Sequence, residues 1–134
     1  MTIHIGITGT RKGCTEGQYE DLIKFFRGRP ADADVHFHHG DCVGVDAEAF
    51  ALATRYGIPT VSHPPTDPKL RAYTASTLTL EPKPYMERNQ DIVDSVRALV
   101  VVPEGPEADH PRSGTWATYR MAVKAGVETV VIMP

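Results

Sequence analysis

The order of apolar and polar residues along the chain predicts short β-strands separated by amphipathic helices. β-Branched runs that end in small-residue turns are typical of strands, and apolar residues three or four apart are typical of helices with one buried face. The predicted strands are residues 3–8, 35–38, 60–62, 98–102 and 130–132. The run at 98–102 is apolar throughout, so this strand is expected to be covered on both faces of its sheet.

Four helical segments are predicted between the strands. The first begins with a capping box formed by Thr15 and Gln18 and ends before Pro30. The others are expected at about residues 45–56, 86–96 and 114–124. Strands that alternate with helices indicate the α/β class. The prediction is a single doubly wound, Rossmann-like domain over residues 1–134, with a mainly parallel five-stranded sheet.

Right-handed crossovers place the loops that follow the strands at one edge of such a sheet. Four segments should meet there, at residues 9–13, 40–46, 64–88 and 103–115. Residues 64–84 contain five prolines and have no sustained periodicity. Connections of this length are often functional or mobile, so this segment is predicted to be a lid-like loop.

Composition and charge narrow the class of protein. The chain has 134 residues, of which 41% are apolar and 23% are charged, and its formal net charge is −3. These values are typical of a soluble globular protein and argue against a partner such as duplex nucleic acid. No apolar run approaches the ~20 residues of a membrane span, and the first residues do not resemble a signal peptide. With only two, widely separated cysteines, the expected location is the cytoplasm.

Two segments have the chemistry of a phosphate site. Gly9, Thr10 and Arg11 form a small-residue turn after the first strand, where backbone N–H groups, a hydroxyl and a guanidinium can all contact phosphate oxygens. Ser113, Gly114 and Thr115 stand at the predicted start of the last helix, where exposed N–H groups and the helix dipole attract anions. We predict that both segments bind ligand.

The turn after the second strand is open to two interpretations. Gly40 and Asp41 begin a glycine-bearing turn, and Asp46 follows at the start of a helix. The carboxylates could bind ribose hydroxyls or a metal, or they could cap the helix, which is the favoured role for Asp46. His36, His38 and His39 lack a partner at ligand spacing, so we expect structural histidines and no metal site. No resident cofactor is expected, and Cys42 is a weak candidate nucleophile.

Three of these segments together resemble the SLOG superfamily, which includes the Lonely-guy phosphoribohydrolases and the Rossmann domain of DNA-processing protein A. They are residues 6–11, residues 39–46 and the Ser-Gly-Thr sequence at 113–115. The resemblance extends over nearly the whole chain and implies that Arg88 helps to hold the ligand. It also implies a homodimer or a larger homo-oligomer. The hydrolase signature, however, has a glutamate at the position of Thr118, so the machinery for cleavage is incomplete here.

The leading hypothesis is therefore a sensor, carrier or sequestering protein that binds a nucleotide or a nucleotide-derived signal without efficient catalysis. Tyr85 or Trp116 could stack on a base, although Trp116 could equally pack beneath the preceding loop. The alternative is a nucleotide N-glycoside hydrolase or transferase that uses a displaced carboxylate. The candidates for that carboxylate are Asp41, Asp46, Glu87 and Asp91.

Overall fold

A computed structural model describes residues 1–29 and 32–134 and contains one six-stranded sheet. The strands are β1 (Thr2–Gly9), β2 (Asp34–His39), β3 (Thr60–Ser62), β4 (Leu78–Thr79), β5 (Ala98–Val102) and β6 (Glu128–Val131). The helices are α1 (Glu16–Arg27), α2 (Val45–Arg55), α3 (Tyr85–Ser95) and α4 (Gly114–Lys124), with a 3₁₀ turn at Glu107–Asp109. The strand order is β4-β3-β2-β1-β5-β6, and every neighbouring pair is parallel.

The predicted α/β class and parallel, Rossmann-like sheet are confirmed, but the sheet has six strands where five were expected. The additional strand, β4, lies inside the proline-rich segment and pairs with β3. Thr60 and Thr77 exchange two hydrogen bonds between backbone N–H groups and side-chain hydroxyls, at 3.0 and 3.2 Å. A strand of two residues carries no detectable periodicity, which is why the pattern of apolar residues did not reveal it.

Apolar side chains cover both faces of the sheet. On one face, α1 and α2 pack on β1 and β2 through a buried cluster that includes Ile7, Leu22, Phe26, Phe37 and Leu52. On the other face, α3 and α4 pack on β5 through Ile92, Val93, Leu99, Val101 and Ala122. Burial of each large side chain of this kind contributes about 1.5–3 kcal/mol. Strand β5 contributes to both clusters, as its uninterrupted apolar sequence predicts.

The functional edge of the sheet is determined by the direction of its crossovers. The strand order runs outward in opposite directions from β1 and β5, so these two strands flank a topological switch point. Their carboxyl ends, Gly9 and Val102, are paired neighbours. Within the described residues, none of the helices has both the length and the apolarity needed to cross a membrane.

Candidate functional site

The turn after β1 is held rigidly by its two neighbours. The N–H group of Thr10 donates to the carbonyl of Val102 at 3.0 Å, and the carbonyl of Thr10 accepts from the N–H group of Val45 at 3.1 Å. Gly44 has a positive φ of 90°, and a Cβ atom there would lie 2.5 Å from the carbonyl oxygen of Arg11. Only glycine allows this close approach, so the start of α2 fixes the shape of the turn.

The start of α4 faces the same turn. Ser113 caps the helix, because its hydroxyl accepts from the N–H group of Trp116 at 3.2 Å. Gly114 and Thr115 follow, and the first N–H groups of a helix have no partner within the helix itself. The helix dipole adds positive potential at this end. The start of α4 is therefore suited to bind an anion.

The turn and the helix start line a cleft of about 560 Å³ at the switch point between β1 and β5. Its lining residues are Gly9, Thr10, Arg11, Lys12, Tyr85, Glu104, His110, Pro111, Arg112, Ser113, Gly114 and Thr115. Basic side chains predominate, and Glu104 is the one carboxylate among these lining residues. Although the chain as a whole is acidic, this cleft is basic, which favours an anionic ligand.

Glu104 interacts with two of the basic groups. Its carboxylate pairs with the ammonium of Lys12, and the hydrogen bond from Lys12 lowers the pKa of Glu104. Its second oxygen lies 3.8 Å from Nδ1 of His110. Among the described residues, Arg11 and Arg112 form no salt bridge, so both guanidinium groups are available for a ligand.

Six of the residues predicted to bind ligand meet in this cleft: Gly9, Thr10, Arg11, Ser113, Gly114 and Thr115. Tyr85, predicted as a stacking residue, also lines it. Sequence reasoning did not identify Lys12, Glu104 or His110. Lys12 lies three residues after the end of β1, and Glu104 lies two residues after the end of β5. This closeness to the strand ends is the sequence feature that could have identified both as residues of the site.

Arg88 lies beneath the cleft and is 3% exposed. Its guanidinium donates to the carbonyl of Gly40, to the carbonyl of His63 at 3.0 Å and to Oδ1 of Asn89 at 2.8 Å. It also lies 4.9 Å from the centre of the Tyr85 ring. Arg88 and Gly40 therefore join the ends of β2 and β3 to α3, and neither residue is part of the lining of the main cleft.

Asp41 anchors the segment from residue 64 to residue 84. It has a positive φ of 54° and is 1% exposed. Its carboxylate accepts from the N–H group and the hydroxyl of Thr74, at 2.9 and 2.8 Å, and from Nε of Arg71 at 3.3 Å. The lining of the cleft, as the described residues define it, includes none of residues 64–84. The segment is instead fixed on β3 and on the turn at Asp41.

Asp46 is buried in the first turn of α2. One of its carboxylate oxygens, Oδ2, accepts from the N–H group of Cys42 at 3.2 Å. The other oxygen, Oδ1, has no hydrogen-bond partner. Burial raises the pKa of Asp46 to about 6, against the opposing influence of the Arg88 guanidinium.

Trp116 and Thr118 both point into the protein. The indole N–H of Trp116 donates to the carbonyl of Gly105 at 3.0 Å, so the ring packs beneath the loop after β5 and is only 7% exposed. The structure thus matches the packing interpretation of Trp116, and the residue is not part of the cleft lining. Thr118 is fully buried, and its hydroxyl donates to the carbonyl of Gly114 at 2.8 Å.

The histidines form hydrogen-bonded structural contacts. Nδ1 of His4 lies 2.9 Å from Nε2 of His38, and Nδ1 of His38 lies 2.8 Å from Nε2 of His63. Burial lowers the pKa of His38 to about 3 and that of His63 to about 4. Nδ1 of His39 accepts from the N–H group of Asp41 at 3.0 Å. Within residues 1–29 and 32–134, no group of three or more ligand-type side chains is arranged to hold a metal ion.

Several solved structures have a similar fold. The molybdenum cofactor binding protein from Rippkaea orientalis gives a TM-score of 0.78 at 16% identity, with 100% of this chain and 78% of that chain covered. DNA processing protein A from Streptococcus pneumoniae gives a TM-score of 0.75 at 19% identity, with 99% of this chain and 51% of that chain covered. This chain therefore spans about half the length of that protein. The Moco carrier protein from Chlamydomonas reinhardtii gives a TM-score of 0.74 at 22% identity, with 98% of this chain and 76% of that chain covered.

The chain shares the fold of these proteins. This agrees with the resemblance that its glycine-bearing turns indicate. No protein-family model matches the chain, and no curated protein matches it in sequence. In this fold, the basic cleft lies at the switch point where open α/β sheets bind their ligands.

Proposed function

We propose that this protein binds and carries a small phosphate-bearing ligand, nucleotide-like in chemistry, without cleaving it. The observation that supports this most strongly is the meeting of Arg11, Lys12 and Arg112 with the first N–H groups of α4 around one cleft of about 560 Å³. Charge-assisted hydrogen bonds from such groups are the usual means of holding a phosphate.

The names of two structural neighbours support carriage as the role. They are a molybdenum cofactor binding protein and a Moco carrier protein. The molybdenum cofactor is thus one candidate cargo for this chain, beside nucleotides and nucleotide-derived signals. Gly9, Thr10, Arg11, Ser113, Gly114 and Thr115 would hold the phosphate of either kind of ligand, and Tyr85 would contact its ring system.

The absence of catalysis is supported by Thr118. The hydrolases that the sequence resembles have a glutamate at this position, and a carboxylate stabilises the oxocarbenium-like transition state of glycosidic cleavage. Here the side chain is buried and its hydroxyl is bound to the carbonyl of Gly114. A neutral, internally satisfied hydroxyl cannot replace that charge.

The rival hydrolase would need another carboxylate near the cleft. Asp41 is bound by Thr74 and Arg71, and Asp91 pairs with Lys83 at the surface. Asp46 is the specific observation that favours the rival, because it is buried next to the cleft and Oδ1 lacks a partner. Under the carrier hypothesis, Asp46 does not act as a base in cleavage.

The experiment that tests the proposal is native mass spectrometry of the purified protein, followed by denaturing extraction to identify any retained phosphate-bearing compound. The same preparation is incubated with nucleoside monophosphates, NAD and ADP-ribose, and released base is measured by chromatography. We expect bound ligand and only background release. Base release with turnover that Asp46→Asn abolishes would establish the hydrolase instead.

We further propose a cytoplasmic homodimer or larger homo-oligomer. Two observations support this extension. Both cysteines are free, which suits a reducing compartment, and the edge strand β6 exposes Val130 and Val131. Light scattering coupled to size-exclusion chromatography would show the oligomeric state, and a mass of one chain at micromolar concentration would contradict the assembly.

A further inference from the structure

A small chamber lies directly beneath the basic cleft. It has a volume of about 10 Å³, and its walls include Asp46, Arg88, Asn89 and Cys42. Gly9, Arg11 and Tyr85 line both the chamber and the cleft, so the two spaces share these residues as a common wall. A space of this size holds one water-sized group.

Two residues that line the chamber each have a buried polar atom without a hydrogen-bond partner: Asp46 at Oδ1 and Asn89 at Nδ2. The two residues are only 6% and 4% exposed. Buried polar atoms are seldom left without a partner in native proteins, because they lose their hydrogen bonds to water on burial. One of these atoms is an acceptor and the other is a donor, so they are complementary to a group that both donates and accepts.

The orientations of both side chains are fixed by their other atoms. Oδ2 of Asp46 accepts from the N–H group of Cys42 at 3.2 Å, which leaves Oδ1 as the free acceptor. Oδ1 of Asn89 accepts from Nε of Arg88 at 2.8 Å, which leaves its NH₂ group as the free donor. Neither side chain can exchange its two polar atoms without losing an existing hydrogen bond.

We propose that this chamber is a hydroxyl-binding subsite, in which a single O–H group donates to Oδ1 of Asp46 and accepts from Nδ2 of Asn89. The proposal deepens the carrier function and rests on it for the identity of the bound molecule. A phosphate group is too large for the chamber, and the Arg88 guanidinium in its wall opposes a cation. The O–H group belongs either to a fixed water or to a hydroxyl of the ligand.

Asp46→Asn provides a sharp probe of this chemistry. Because the N–H group of Cys42 requires an oxygen opposite it, the new amide places its oxygen at the Oδ2 position and its NH₂ group at the Oδ1 position. The two unpartnered positions are then both donors. An O–H group loses the partner to which it donates, although the shape of the chamber is unchanged.

The first test is a crystal structure of the unliganded wild-type protein at a resolution that shows ordered waters. The proposal predicts one oxygen peak within hydrogen-bond distance of both Oδ1 of Asp46 and Nδ2 of Asn89. An empty chamber, or rotation of the two side chains to pair with other groups, would overturn it. This test requires no ligand, so its result is independent of the carrier function.

The second test identifies the source of the hydroxyl, with ribose 5-phosphate as the probe and inorganic phosphate as its matched control. If a sugar hydroxyl replaces the water in the complex, Asp46→Asn should weaken binding of ribose 5-phosphate at least fivefold and leave inorganic phosphate unchanged. If the water stays in the chamber, both affinities should be unchanged. Asp94→Asn, on the outer surface of α3, is the control for the loss of one negative charge. If Asp46→Asn does not fold, Asn89→Ala is the second variant. If the chamber holds an O–H group but the protein binds neither ribose 5-phosphate nor inorganic phosphate, the carrier function is contradicted and the subsite stands. If the protein binds phosphate but the chamber is empty, the subsite is contradicted and the carrier function stands.

Discussion

The phenol of Tyr85, at the first position of α3, lies directly against Gly114 at the first position of α4. A methyl group on Gly114 would overlap the hydroxyl of Tyr85. Tyr85 and Gly114 both line the cleft, and the Tyr85 ring also packs against the Arg88 guanidinium. The width of the cleft is therefore set by this contact between the two helices.

Gly114→Ala should narrow or distort the cleft while leaving the fold intact. The added methyl group must displace Tyr85, and we expect affinity for pyrophosphate to fall at least tenfold in calorimetry. Gly17→Ala is the matched control, because a Cβ at Gly17 meets no atom within 4 Å. That control should bind normally and gain about 0.5–1 kcal/mol of stability from its helical alanine. Unchanged affinity in Gly114→Ala would show that Tyr85 does not define the site.

Arg11→Ala should weaken binding of the same probe without unfolding the protein. Loss of one charge-assisted hydrogen bond costs about 1.5–3 kcal/mol, which is roughly a ten- to hundredfold loss of affinity. The matched control is Arg27→Ala, at the exposed end of α1. Calorimetry on both folded variants provides the comparison. Equal affinities would assign Arg11 to the solvated surface.

The sequence predicted the parts of this molecule that depend on local chemistry. The capping box at Thr15 and Gln18 is present, with Gln18 accepting from the N–H group of Thr15 at 2.9 Å. The glycine turns and the start of α4 are brought to one edge because parallel crossovers leave them no other place. These constraints act over short stretches of chain, so the pattern of residue types was sufficient to predict these features.

The remaining features depend on contacts between distant segments. Asp41 has the residue type of a ligand contact, but it is used by Thr74, which is 33 residues away. Nothing near Asn89 in the sequence indicates that it lines the same chamber as Asp46. The row of side-chain contacts from His4 to His38 and from His38 to His63 likewise joins three segments that are distant in sequence. Pairings of this kind depend on strand order and register, which a single sequence does not specify.

Asp41→Ala should release the segment at residues 64–84. The substitution removes the side-chain acceptor for Thr74 and Arg71. The segment keeps its pairing with β3 and the backbone hydrogen bonds of Leu70 and Ala72 to the turn, but it loses this side-chain anchor. Limited proteolysis should cut this variant within 64–84 several times faster than wild type. Wild type with and without pyrophosphate tests the lid hypothesis in the same experiment: a lid predicts slower cutting with ligand, and equal rates would count against it.

The buried histidines should make the fold sensitive to mild acid. The native pKa values of His38 and His63 are about 3 and about 4, well below the ordinary value of about 6.5. The unfolded chain therefore takes up protons below pH 6.5 that the native state does not. The contribution of these histidines to stability is complete above that pH and falls as the pH drops from about 6.5 to about 4 for His63 and to about 3 for His38. At pH 5, each such histidine costs about 2 kcal/mol.

Urea unfolding at pH 7.5 and pH 5 measures this loss. His38→Gln should lose about 2 kcal/mol less than wild type between the two pH values. An identical pH dependence in wild type and His38→Gln would show that His38 does not contribute.

The central claim is that the cleft at the ends of β1 and β5 binds a phosphate-bearing ligand. The measurement that tests it most directly is a ¹H–¹⁵N NMR titration with pyrophosphate at pH 7.5. Saturable shifts are expected for the backbone amides of residues 9–12 and 113–115, with the exposed surface of α1 unaffected and Arg11→Ala weakening the response at least tenfold. Shifts that are absent, that do not saturate or that centre on another surface would contradict the account.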